Sequence, residues 1–142
     1  MPADAYTFPL AWRWTQPTHN VLPPEAMARI MPIPDAAAPA GVTARGELQR
    51  ASFDEVKTVS ADVSCEEGTE WLRSLPVPLS EQVTVRWDTS TAVHTTWEVF
   101  TRYWDDFCYP GSDEVEVFSQ LGAWLLLYHH WEQFEWGRRR QA

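Results

Sequence analysis

Eight of the eleven prolines lie in the first 40 residues: Pro2, Pro9, Pro17, Pro23, Pro24, Pro32, Pro34 and Pro39. Proline fixes φ and removes a backbone donor, so this stretch can carry little regular structure and reads as extended or irregular. One short helix fits, Pro24–Met31, with proline in its first turn and another at its stop. Trp12, Trp14, Leu22 and Ile30 supply apolar anchors, so residues 1–40 are expected to form an arm that wraps a core built from residues 41–142. Asp35–Gly41 reads as loop. A chain of 142 residues is long enough to bury a core without disulfide or metal, so arm and core are expected to fold as one unit.

Periodicity organises the rest. Residues 47–64 read as extended. Glu66–Leu75 reads as a helix, with acids in its first turn and Pro76 ending it. Gln82–Trp87 alternates as a strand, Val83, Val85 and Trp87 against Thr84 and Arg86. Val93, Trp97, Phe100, Trp104 and Phe107 recur at helical spacing, which predicts one aromatic-striped helix over about 92–107. Thr95 with Glu98 offers it a capping box, and Pro110-Gly111 stops it. Glu114–Phe118 alternates, Gln120-Leu121-Gly122 turns, Ala123–His130 is a long apolar strand, and Phe134–Arg138 alternates again. The architecture expected is α+β: an antiparallel sheet of four or five strands with the aromatic helix on one face.

Composition narrows the function classes. Twenty acids against eleven basic residues give a net charge of −9, which disfavours phosphate-neutralising nucleic-acid binding. Ten of the bases are Arg and only Lys57 is Lys. No apolar run approaches the ~20 residues of a membrane-spanning helix. The N-terminus lacks a secretory pattern, so a cytoplasmic protein is expected, with Cys65 and Cys108 as free thiols rather than a disulfide pair. Nine Trp is a large enrichment; five or six would fill a core, leaving a few for an interface.

Residues 88–135 hold nine acids and one base, Arg102. Within them, Asp105 and Asp106 fall in the last turn of the predicted helix, where the backbone carbonyls already present partial negative charge. Asp113 and Glu114 return across the turn Tyr109-Pro110-Gly111-Ser112. Four carboxylates would thus gather at one helix end beside Tyr109, against local electrostatic preference. The predicted partner-binding residues are therefore Asp105, Asp106, Tyr109, Asp113 and Glu114, and their complement is a protein with a basic surface. The bland alternative is a set of salt bridges to Arg102 or Arg86, or plain exposure.

Catalytic and cofactor signatures are not evident. Adjacent His129 and His130 would point to opposite faces of a strand, so a shared metal ion is not expected. Cys108 with His129 or His130 could be drawn as a nucleophile and base, but no elbow motif surrounds it. The carboxylates show no D-x-D-x-D-G loop for calcium, and the glycines show no phosphate-loop spacing. No cofactor, metal or catalytic residue is predicted.

Trp104-Asp105-Asp106-Phe107-Cys108-Tyr109-Pro110, then Ser112-Asp113-Glu114, Leu127-Tyr128-His129-His130 and Phe134-Glu135-Trp136-Gly137 carry a likeness. Over Trp87–Arg139, the last third, the chain resembles small bacterial proteins and immunity proteins of polymorphic toxin systems. The resemblance implies a compact acidic α+β domain, made in the cytoplasm, that masks a cognate toxin without catalysing a reaction. Two other readings stand beside it: a small enzyme using Cys108, His129 or His130 or a carboxylate-bound metal, and a structural accessory domain whose surplus Trp serves a homodimer.

Overall fold

A computed structural model describes residues 4–119 and 122–140. The proline-rich arm is short pieces of structure: a helical turn α1 (Trp12–Thr15), a two-residue strand β1 (Asn20–Val21) folded back on it, α2 (Pro24–Met27) and β2 (Met31–Ile33). Then follow β3 (Phe53–Ser60), α3 (Cys65–Ser74), β4 (Gln82–Asp88), β5 (Thr91–Thr96), α4 (Trp97–Arg102), α5 (Trp104–Phe107), β6 (Val115–Ser119), β7 (Trp124–His129) and β8 (Gln133–Arg139). Seven strands form one antiparallel sheet in the order β2-β5-β4-β6-β7-β8-β3.

The α+β class and the antiparallel sheet agree with the sequence, but there are seven strands rather than four or five. The two additional strands have identifiable causes. Pro32 is tolerated in β2 because that strand is at the sheet edge, where a missing N–H breaks no ladder. The predicted 92–107 helix loses its first third to β5: Thr91, Val93, Thr95 and Thr96 are β-branched, favour extended backbone, and find a hairpin partner in β4. The helix therefore begins at Trp97 and is capped by Thr96, whose hydroxyl accepts the Val99 N–H at 3.2 Å. It breaks at Tyr103 into two short helices. The aromatic stripe survives the break, with Trp97, Phe100, Trp104 and Phe107 all buried. The arm helix is shorter than Pro24–Met31 because Met31 joins the sheet. Of the predicted turn at 120–122, Gln120 and Leu121 lie outside the described residues.

The two faces of the sheet are covered differently. On one, Val83, Val85, Val117, Leu126, Phe134 and Trp136 meet α3, α4, α5 and the arm in a single core that includes Phe8, Trp14, Leu22, Met27 and Ile30. Gly68 of α3 makes this closure possible, since a Cβ there would sit 2.3–2.5 Å from the Trp104 indole. On the other face, Leu125 and Leu127 pack against Leu48 and Phe53. These two belong to a strap, residues 34–53, that carries the chain from edge strand β2 to the opposite edge strand β3. The strap is tied down through its backbone: Arg86 Nε donates to the Ala36 carbonyl at 2.9 Å, Arg139 Nη2 to that of Ala40 at 2.6 Å, and Glu135 Oε1 accepts the Leu48 N–H at 3.3 Å. Cover on both sides explains why every residue of β7 is buried and why its sequence is a continuous apolar run instead of an alternating one. Among the described residues, no helix is long and apolar enough to cross a membrane.

Candidate partner-binding surface

Trp104 and Phe107 fix α5 by facing the core, which leaves Asp105 and Asp106 on its outer side. The dipole conflict expected for these acids is not present. Because the helix restarts after Tyr103, both lie in a single four-residue turn, α5, too short to build the helix dipole that the expected conflict assumed. Another cost replaces it. Asp106 is only 8% exposed, and burial, followed by the neighbouring Asp105 charge, raises its carboxyl above the usual range. Among the described residues, one side-chain donor bonds it, the Asn20 amide at 2.8 Å, and the nearby His19 also opposes the rise. Asp105 is exposed and accepts the Cys65 thiol at 3.3 Å.

Asp113 is in different surroundings. It is buried and held by Arg13 of the arm, through contacts at 2.6 and 3.2 Å, and it accepts the Tyr109 N–H at 3.0 Å. Its cation comes from neither Arg102 nor Arg86. The same guanidinium lies 3.9 Å from the centroid of the Tyr109 ring. Trp12, 38% exposed, sets its ring edge-on to both Tyr109 and His19, with centroids 5.7 and 4.8 Å away. Asp113 is thus the foundation of a surface that Trp12, His19 and Tyr109 present beside Asp105 and Asp106.

Glu114 belongs to a third environment. It accepts the His130 N–H at 3.2 Å, contacts His130 Nδ1, and lies 3.4 Å from Nδ1 of His129. The two histidines do not diverge as expected, because β7 ends at His129 and His130 already belongs to the turn. Buried His129 also meets Glu135 through Nε2 at 3.2 Å and stacks on exposed Trp131 at 4.3 Å. The five predicted residues therefore divide: Asp105, Asp106 and Tyr109 share one surface, Asp113 underlies it, and Glu114 faces the His129–Trp131 turn.

Both cysteines are free. Burial, then the Asp105 charge, pushes the Cys65 thiol up to about 12, and burial raises that of Cys108 well above its ordinary value. Either shift is the reverse of what activates a nucleophile. Among the described residues, no group of three or more His, Cys, Asp or Glu is arranged to hold a metal ion. A cleft of about 510 Å³ is lined by Glu81, Trp124, Trp136 and Arg138 and contains none of the five predicted residues.

Sequence reading missed the contribution of the arm: Trp12, Arg13, His19 and Asn20. Arg13 between Trp12 and Trp14 carried a signal, because an arginine drawn into an apolar segment needs a carboxylate partner. Nothing in the spacing identified that partner as Asp113, one hundred residues away. In comparisons with known proteins, no family model, no curated protein and no solved structure matches this chain.

Proposed function

We propose that the chain is a non-enzymatic binding protein that acts as an immunity protein, made in the cytoplasm, and masks a basic surface of a cognate toxin. Its contact surface is Asp105, Asp106 and Tyr109, extended by Trp12 and His19 of the arm. Asp113 positions Tyr109, and Glu114, engaged by the His129–Trp131 turn, is outside this surface. The observation that carries this reading is Asp106: a carboxylate kept largely out of water, beside a second carboxylate, and met among the described residues by one side-chain amide donor. Groups that disfavour their own fold in this way concentrate at functional sites. A lysine or arginine from a partner would relieve that imbalance, and the half-exposed Trp12 ring would exclude water from the contact.

The test is co-purification and toxicity rescue with the product of the neighbouring gene. Asp105 is exposed, so Asp105→Lys is expected to fold and to lower affinity at least tenfold. Asp106→Asn keeps the Asn20 contact and removes only the charge, with a loss of similar size. Wild-type affinity in both variants refutes this surface assignment.

A further inference from the structure

The sheet has two edges of unequal character. β2 is three residues long and contains Pro32, so it offers little backbone to another strand. β3 is eight residues long, pairs with β8 alone among the described strands, and has Asp54, Lys57, Thr58 and Ser60 exposed. A bulge displaces Asp54, and from Glu55 to Ser60 the register with β8 is regular. An open, regular edge of this kind is a template for another strand.

We infer that the β3 edge pairs antiparallel with the same edge of a second copy, centred on Val56, so that the sheet continues across two chains. The charge order of the strand selects both the partner and the register. In a two-fold pairing centred on Val56, Glu55 of each copy lies directly opposite Lys57 of the other, on the same sheet face and at the close spacing of opposed residues. Centring one residue earlier opposes Glu55 to Glu55, and one residue later opposes Lys57 to Lys57. Lys57 is the only lysine in the chain, and its ammonium already lies 3.5 Å from Glu55 within the strand. Side chains that are 45% and 36% exposed would therefore interleave as alternating charges across the dyad.

Light scattering of the full chain over a concentration series tests this. The wild type is expected to move from 16.4 kDa toward twice that mass as concentration rises. Lys57→Glu and Glu55→Lys each set like charges across the dyad, and each alone is expected to weaken dimerisation at least tenfold. Mixed in equal amounts they restore two opposite-charge pairs, so the mixture should return to the two-chain mass, which also shows that both variants are folded. A wild type of single-chain mass up to about millimolar overturns the proposal, as do single variants that dimerise like the wild type or a mixture that stays monomeric.

Discussion

The helix-covered face and the strap-covered face of the sheet solve one burial problem by different means. The first is closed by interlocked rings: Trp104 meets Phe134 edge-on at 5.3 Å, Trp97 meets Trp124 at 5.1 Å, and Phe100 meets Phe107 at 5.6 Å. Its buried charged groups, among the described residues, are Arg13, Asp113 and Asp106. The second carries ionisable pairs within the sheet face itself, Arg86 with Glu116 and His129 with Glu135, and satisfies several of them with strap backbone. Rigid packing tolerates little change of volume, whereas a strap of irregular chain can yield. Substitutions of similar size should therefore have unequal effects on the two faces.

The largest expected effect is Arg13→Met, which strands Asp113 as a buried unpaired carboxylate and should cost about 3–5 kcal/mol in denaturant unfolding. Adding Asp113→Asn to it should recover a substantial part of that loss. Full additivity of the two changes would mean that the pair is not coupled.

Gly68→Ala comes next. Helix propensity alone predicts a gain of roughly 1 kcal/mol for this change. Contact with the Trp104 indole predicts a loss of about 1–3 kcal/mol. The sign of the shift in melting temperature decides between propensity and packing on the helix-covered face.

Gly137→Ala is the matching probe of the strap face, since its Cβ would sit 2.6 Å from the Phe53 ring and 3.0 Å from Leu48. Leu48 is on irregular strap and Phe53 is at the very start of an edge strand, beside a bulge, so both can yield and the loss should stay near 1 kcal/mol. Native-state hydrogen exchange should show the Leu48 and Gln49 amides opening before those of α3 and α4. Equal losses at Gly68 and Gly137 would erase the distinction between the faces.

The smallest effect is a gain. The Asp106 carboxyl has a raised pKa in the fold, so the folded protein holds a proton that the unfolded chain has already released. Stability therefore falls as pH rises through that window, and the penalty is fully present above it. Asp106→Asn should raise the melting temperature by a few degrees at pH 7, in line with the size of single stabilising substitutions. That gain should shrink as pH falls and vanish below about pH 3, where the wild-type carboxyl is protonated in both states. A gain independent of pH would separate Asp106 from the cost that carries the functional proposal.

Much of the fold could be read along the chain. Glu66 and Glu67 in the first turn of α3, Val83 and Val85 alternating in β4, and the apolar run of β7 are all local signals. Cys65 and Cys108 were readable as free thiols. Of the nine tryptophans, Trp14, Trp97, Trp104, Trp124 and Trp136 are buried, which is the share the core was expected to take. Thr91–Thr96 was misread because Val93 happens to fall on the helical stripe, while the partner that makes it a strand is in β4. The candidate site was half legible. Asp105, Asp106 and Tyr109 stood out as charge beside an aromatic ring, whereas Trp12 and His19 are brought to them only by the folded arm.

Local sequence determined the class of structure, because helix caps, alternation and proline act within a few residues of themselves. It also fixed the acidic balance and the self-complementary order Glu55-Val56-Lys57. Only the tertiary structure decided which carboxylates remain available. Arg13 reaches Asp113, Asn20 reaches Asp106, and the His129–Trp131 turn claims Glu114. The first two choices depend on contacts across 100 and 86 positions, and proximity on that scale is set by how the arm closes on the sheet rather than by any local preference.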